Sequence, residues 1–219
     1  MRERLTRRRV LDAALAILDA EGLAALTMRR LGAELGVEAM SLYRHVPNKE
    51  ALLDGIVELI VLEIDVPAGA DGDWEASVRR TARSYRRAAH AHPEAFPLVT
   101  TRPLNTPEAL RRVEASFEVL HRAGFDERAV IVGFRTVAAY VRGFALEEVT
   151  GRALGVRVNG SDGPVDPRTL SPREFPRLSE LAPELVDADR DAEFELGLEL
   201  ILAGPVSYTH LTLPTTPYV

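Results

Sequence analysis

Apolar residues recur at helical spacing along most of the 219-residue chain, and this periodicity limits the fold more than any other feature. The first such segment spans residues 6–20, and glycine or proline residues separate the segments that follow. No segment before residue 205 alternates apolar and polar side chains as a half-buried strand does. The sequence therefore predicts an all-α protein.

The composition excludes several classes of protein. The chain is 46% hydrophobic and contains no cysteine, so it cannot form disulfide bonds or thiolate metal sites. No apolar run reaches the 18 or more residues of a membrane span, and residues 1–9 are not followed by the apolar segment of a signal peptide. We expect a soluble, cytoplasmic protein that does not associate with a membrane.

The order of helix signals predicts the domain organisation. Short helices at 6–20, 27–35 and 39–45 precede a fourth helix that runs to residue 64 and ends before a turn-forming stretch. Longer helices, a glycine- and proline-rich loop at 150–172 and a final helix at 189–203 follow. We expect a three-helix domain at 1–48, a connecting helix at 49–66, a C-terminal domain at 74–204 and a tail at 205–219.

The tail differs from the rest of the chain. It has no charged residue and contains four threonines and three prolines. We interpret it as a non-native extension and leave it out of the fold argument. A native disordered tail is the alternative.

Two of the short helices meet at Gly36, in the segment 27–46. Thr27 and Asn48 are good N-caps, Gly22 is a stop for the first helix, and Pro47 ends the third. The apolar side chains that would lock the pair against the first helix are Leu31, Leu35, Val37 and Leu42. The opposite face of the second helix of the pair carries Met40, Ser41, Tyr43, Arg44 and His45.

This arrangement is typical of a helix-turn-helix that inserts its second helix into the major groove of DNA. The small residues Ala39 and Ser41 would permit close approach, and Arg29 could bind a guanine in bidentate fashion. The side chains suited to phosphate oxygens are Thr27, Tyr43, His45 and Lys49.

The charge distribution agrees with DNA binding by one module only. The whole chain has a net charge of -6, yet residues 1–50 carry +2 and the remaining 169 carry -8. An ordinary three-helix bundle with a polar surface is the structural alternative at this point, since a short helix pair with a glycine turn is common.

The segment "SLYRHVPNKEALL" at 41–53 resembles the DNA-binding domain of the tetracycline-repressor family. This resemblance implies a helix-turn-helix domain followed by a larger helical ligand-binding and dimerisation domain. It implies base or phosphate contacts for Met28, Arg29, Ala39, Met40, Ser41, Tyr43, Arg44, His45 and Lys49. The operator sequence cannot be carried over, because Ala39 and Met40 differ from the tetracycline-sensing members.

The likeness continues through "WEASVRRTARSYRRAAHAHP", "TTRP" and "FELGLELIL", and spans roughly residues 5–204. Carried across by motif, the candidate effector-binding residues are Thr81, Tyr85, Leu98, Arg102, Pro103, Ser116, Ile131, Phe134 and Glu147. Each also has a simpler interpretation: Tyr85, Ile131 and Phe134 as core packing, and Arg102 as a partner of a carboxylate.

Three departures argue against a metal–drug chelate as the effector. Leu98 stands where the tetracycline-binding members have a metal-ligating histidine, Thr81 replaces an amide, and residues 61–66 contain no histidine. We expect an apolar effector with few polar anchors, no metal and no cofactor. His90, His92 and His121 lie on polar helix faces and are interpreted as surface residues.

The sequence favours a ligand-responsive repressor that binds a palindromic operator as a homodimer. The resemblance implies dimerisation through the helices at 126–149 and 189–203. The competing hypothesis is a helical small-molecule carrier or an enzyme without DNA binding. We find no nucleophile–base pair or metal-ligand constellation, so no catalytic residue is assigned and we expect no enzymatic activity.

Overall fold

The computed structural model describes residues 4–67, 73–151 and 166–208. Every regular element in these ranges is helical, which confirms the predicted all-α class. A 3-10 turn at Pro167–Thr169 accompanies the α-helices. The helices are α1 (Arg7–Glu21), α2 (Met28–Leu35), α3 (Ala39–Leu42), α4 (Lys49–Glu63), α5 (Trp74–Ala91), α6 (Phe96–Thr101), α7 (Pro107–Arg122), α8 (Glu127–Thr150), α9 (Pro176–Asp187) and α10 (Arg190–Tyr208).

The helix caps and the helix end that the sequence predicts in the N-terminal region are present in the structure. The Thr27 hydroxyl accepts a hydrogen bond from the Arg30 amide at 3.0 Å, and Asn48 Oδ1 accepts one from the Ala51 amide at 2.8 Å. These side chains satisfy amides that have no partner inside the helix. Gly22 ends α1 with a φ of 78°, a backbone conformation that side chains with a Cβ rarely adopt.

The first compact unit runs to Thr150 and contains α1 to α8. Its hydrophobic core is continuous from the N-terminal helices into the later ones: Val10, Leu31, Ile56 and Phe96 are all fully buried members of one cluster. Burial of each such side chain stabilises the fold by about 1.5–3 kcal/mol. Helix α4 contributes on nearly all sides, which explains its apolar sequence. The domain boundary at residue 48 stays a prediction.

The second compact unit begins at Gly151, and its described part contains the 3-10 turn, α9 and α10. Phe194, Leu198 and Leu202 recur every four residues along α10 and are buried. The predicted end of the last helix at residue 203 was wrong, because α10 continues to Tyr208. Helix α9 was not predicted. The 150–172 loop and the rest of the proposed tail lie mostly outside the described residues.

Helix α8 has an apolar outer surface. It is long and apolar enough to cross a membrane by length and composition, yet only 17% of its most apolar window is buried. The buried residues are Val130, Val141 and Ala145, while Val132 is 55% exposed. An exposed apolar surface of this kind is typical of an interaction surface.

Candidate nucleic-acid interface and ligand domain

Helices α2 and α3 are locked together by their backbones and by the first core. Leu31 and Leu42 are fully buried, whereas Leu35 and Val37 are half-buried and pack against the same cluster, as the sequence predicts. At Gly36, φ is 66°, and the amides of Gly36 and Val37 donate to the carbonyls of Ala33 and Gly32. These two bonds form a Schellman motif, which turns the chain sharply from α2 into α3.

Gly32 is a residue that the sequence analysis missed. A Cβ at this position would lie 2.9 Å from the Val37 carbonyl oxygen and 3.2 Å from the Ala39 amide nitrogen. Since both neighbours are backbone atoms, neither can rotate away. The absence of a side chain at Gly32 therefore allows the close approach of α2 to the start of α3.

The second helix of the motif is shorter than predicted. The expected helix at 39–45 is wrong in its length, because α3 ends at Leu42 and residues 43–45 form a turn. The amides of His45 and Val46 both donate to the Leu42 carbonyl, at 2.9 and 3.0 Å. Pro47 has no amide with which to extend the helix. Tyr43, Arg44 and His45 therefore project from a turn.

The predicted reading face is exposed. Met40 is 76% exposed and Tyr43 is 41% exposed, and Arg44 is also exposed, whereas Leu42 on the opposite face is fully buried. Met40, Ser41, Tyr43 and Arg44 line a shallow surface concavity. Ala39, Ser41 and His45 are half-buried. Of the candidates outside this segment, Thr27, Arg29 and Lys49 are exposed, and Met28 packs partly against the core.

The cations of this face differ from those elsewhere in the N-terminal helices. Within the described ranges, Arg29, Arg44 and Lys49 have no carboxylate partner. Arg30, one residue from Arg29, lies between Glu21 and Glu34 at 2.6 and 2.7 Å. Hydrogen bonds that the guanidinium donates to these two carboxylates hold the pKa of Arg30 above its usual value. Around α3, these three cations thus form no ion pair within the described ranges, although the chain as a whole carries a net charge of -6.

Helix α4 starts beside this face, and side chains of later helices bind both of its ends. At its first turns, Arg102 donates to Asp54 Oδ1 at 2.8 Å and to Glu50 Oε2 at 2.7 Å. At its last turn, Arg112 donates to the Leu62 carbonyl at 3.0 Å. Arg102 was predicted as a candidate ligand contact, and in the structure it lies in this ion-pair cluster.

His92 was wrongly interpreted as a surface residue. It is half-buried at the end of α5, where Nδ1 lies 2.7 Å from Asp19 Oδ2 and Nε2 lies 3.1 Å from Glu63 Oε2. Burial lowers the pKa of His92, but the hydrogen bonds and charges of Asp19 and Glu63 raise it by a larger amount. The pKa of His92 is therefore above its usual value. An imidazolium ring can donate to both carboxylates, and it joins α1, α4 and α5.

The candidate effector residues do not share one environment. Tyr85 packs edge-to-face on Phe96 with centroids 5.4 Å apart, and burial raises the pKa of its hydroxyl. Phe134 packs on Phe117 in the same way at 4.8 Å. Thr81, Leu98 and Ser116 are half-buried, and the Ser116 hydroxyl donates to the Arg112 carbonyl at 3.0 Å. Pro103, Ile131 and Glu147 are exposed.

Glu148, next to the candidate Glu147, is one of the most deeply buried ion-pair partners in the described part of the chain. Its side chain is only 7% exposed. The carboxylate accepts hydrogen bonds from the Arg86 guanidinium at 2.6 and 2.8 Å, and its Oε2 lies 3.1 Å from His90 Nε2. The pKa of Glu148 is lowered, because the Arg86 hydrogen bonds and charge outweigh its burial. This pairing was not predictable from the sequence, since Arg86 lies 62 residues away.

A helix-turn-helix with an exposed, positively charged reading face, followed by a larger helical domain, defines a DNA-binding transcriptional regulator. The comparisons with known proteins agree. Residues 10–56 match the family of bacterial regulatory proteins called the tetR family, and residues 66–206 match the tetracyclin repressor-like C-terminal domain. The chain belongs to the tetR family, and its members are DNA-binding regulators rather than enzymes.

Several relatives align over nearly the whole chain. The HTH-type transcriptional repressor DrrR1 of Streptomyces coeruleorubidus is 31% identical over 208 residues, which cover 91% of this chain and 77% of the relative. The class A tetracycline repressor from transposon 1721 of Escherichia coli is 35% identical and is covered to 88%. The structure of ActR from Streptomyces coelicolor with actinorhodin superposes with a TM-score of 0.80 at 33% identity, over 95% of this chain and all of that one.

Proposed function

We propose that this protein is a ligand-responsive repressor that binds a palindromic operator as a homodimer and is released by a small-molecule effector. The observation that carries the proposal is the exposed face around α3, which holds Met40 and Tyr43 away from the core beside uncompensated cations. The family of the chain supports the same reading, since its relatives include named repressors.

The DNA contacts divide by chemistry. Ala39, Met40 and Ser41 lie on the short helix itself, where they would reach base edges, and Arg29 precedes it on α2. Thr27, Tyr43, Arg44, His45 and Lys49 surround that helix at positions suited to phosphate oxygens. Lys49 is the first residue of α4, so its charge would add to the free amides at that helix start.

A second copy would cover the apolar surface of α8. Ile131 and Val132 are exposed there, and on the second unit α10 exposes Leu196 and Leu200. Dimers with two-fold symmetry place two reading heads on half-sites that are about one helical turn, or a small multiple, apart. Burial of an apolar α8 face in a dimer also explains this helix without a membrane.

The effector is proposed to be apolar with few polar anchors and to need no metal. The interior of the first unit supplies aromatic faces at Tyr85, Phe96, Phe117 and Phe134. Leu98 offers no ligand atom, and the Arg102 guanidinium is already bound to Glu50 and Asp54. Two crystal structures of ActR contain (S)-DNPA and actinorhodin, respectively, which makes actinorhodin a suitable first probe.

Effector binding would act through α4, because this helix joins the two activities. Its first residue lies at the reading face, and Arg102, Arg112 and His92 fix it to α5, α6 and α7. A ligand that moves α6 or α7 would move these contacts and change the spacing of the reading heads. Linkage then requires the operator to weaken effector binding by the same factor.

DNA binding is tested first by selection of duplexes from a random library, followed by fluorescence anisotropy at several salt concentrations. We expect affinity to fall steeply with salt, with a slope of about −0.9 per neutralised phosphate. Tyr43→Ala and Lys49→Ala should abolish operator binding and leave helicity unchanged. Arg173→Ala, which removes an exposed cation far along the chain, is the control for net charge and should bind normally.

The alternative is a helical small-molecule carrier without DNA binding. It would be favoured if no duplex is enriched, or if binding does not weaken with salt. Calorimetric titration of actinorhodin with and without the selected operator then tests the release step. Equal affinity of a bound effector in both titrations would exclude ligand-controlled release.

A further inference from the structure

Met40 is the most exposed large apolar side chain in the described part of the chain, at 76%. It is the second residue of α3, and Leu42 on the other side of the same short helix is fully buried in the first core. Packing within the subunit therefore does not account for an apolar residue at position 40. Single exposed apolar side chains are common on protein surfaces, but on the predicted reading face such a side chain is available to an apolar point on a ligand.

The surroundings of Met40 indicate what kind of surface it meets. Ser41, Tyr43 and Arg44 line the same concavity, and the Arg44 guanidinium has no carboxylate partner within the described ranges. One apolar side chain within a rim of hydroxyl and guanidinium groups does not resemble a protein–protein contact, whose centre is a cluster of apolar anchors. It fits a polyanion that offers an isolated apolar group.

The edges of bases in the major groove offer one such group, the C5-methyl of thymine. The nitrogen and oxygen atoms there are hydrogen-bond donors or acceptors, which a thioether cannot satisfy with comparable strength, and cytosine offers only a C5 hydrogen where thymine has its methyl group. Contact of Met40 with the polar atoms of guanine, cytosine or adenine would desolvate those atoms without replacing their hydrogen bonds. The long, unbranched methionine side chain can adapt to a methyl group at several depths.

We propose that Met40 is a specificity-determining residue that reads the C5-methyl group of one thymine in each operator half-site. This inference rests on the proposed function and adds to it the chemical identity of one base contact. Ala39 and Ser41, the half-buried neighbours of Met40 on α3, have small side chains. Met40 therefore extends further toward the base edges than either of them. The selected half-site should therefore contain a thymine that cannot lose its methyl group without weakening the complex.

Replacement of thymine by deoxyuracil, one position at a time in the selected operator, removes only the methyl group. We expect one position per half-site at which this change weakens binding of the unaltered protein about fourfold, as burial of one methyl group would predict. Replacement in both half-sites should multiply the two factors. For Met40→Ala, thymine and deoxyuracil at that position should bind equally, and other positions should respond as before.

Leu110→Ala is the matched control, because Leu110 is a 51% exposed apolar side chain on α7, away from the reading face. This variant should keep the full response to deoxyuracil. Circular dichroism checks that Met40→Ala retains its helicity. The inference is overturned if no position responds in the unaltered protein, or if the responsive position responds equally in Met40→Ala. Failure to enrich any duplex would instead overturn the proposed function on which this inference depends.

Discussion

Because Gly32 has no Cβ, α2 and the start of α3 can approach each other closely. In Gly32→Ala, the new Cβ would lie 2.9 Å from the Val37 carbonyl oxygen, so α3 must shift. We expect a loss of about 1–3 kcal/mol in the free energy of unfolding, typical of overpacking, together with at least tenfold weaker operator binding. Urea unfolding and fluorescence anisotropy measure the two effects.

Ala33→Leu is the control for this prediction. Ala33 is the exposed neighbour of Gly32 on the same helix, so the larger side chain extends into solvent. Its free energy of unfolding should change by less than about 0.5 kcal/mol. Unfolding curves of Gly32→Ala that match those of the unaltered protein would show that the α2–α3 contact tolerates a methyl group.

His92 makes stability depend on pH in a defined direction. Its pKa is raised above 6.5 in the folded protein, since the opposing carboxylates Asp19 and Glu63 outweigh burial. The stabilisation is therefore complete below pH 6.5, the unfolded value, and is lost as pH rises through the raised pKa. Urea unfolding of the unaltered protein should show this fall, and His92→Gln should not. In His121→Gln, which removes an exposed histidine, the fall should persist.

At the scale of single helices, the beginning of α4 depends on a residue 48 positions away. Arg102 Nε and Nη2 both reach Asp54 Oδ1, at 2.8 and 2.7 Å, and the Arg102 side chain is only 18% exposed. A double-mutant cycle with Arg102→Gln and Asp54→Asn should give a coupling of about 1 kcal/mol in the free energy of unfolding. The exposed Arg111–Glu108 pair on α7 is the control and should couple much more weakly, because solvent screens it. Equal coupling in the two cycles would show that the Arg102 cluster does not hold α4.

The helices themselves were largely predictable, and the contacts between them were not. Thr27, Asn48, Gly22 and Gly36 act locally, so their sequence signals predict α1, α2 and α4 well. The reading face follows from the same reasoning, because burial of Leu31 and Leu42 decides which side chains remain exposed. Arg102, Arg86 and His92 find partners 29 to 73 residues away. No local pattern encodes such pairings, and their discovery required the folded chain.

At the scale of the whole molecule, we expect the apolar outer face of α8 to determine the state of assembly. Val132 is 55% exposed in the subunit, so Val132→Asp should leave the fold of the monomer unchanged. In a dimer the same carboxylate would be buried without a partner, which costs several kcal/mol. We expect light scattering to report a mass near 24.1 kDa for Val132→Asp and about twice that value for the unaltered protein. Loss of dimerisation should also weaken operator binding, since a single reading head contacts only one half-site.

Leu110→Asp introduces the same charge at an exposed apolar position on α7 and should remain dimeric. A dimeric Val132→Asp variant would place the interface elsewhere, and a monomeric unaltered protein would exclude this mode of operator recognition.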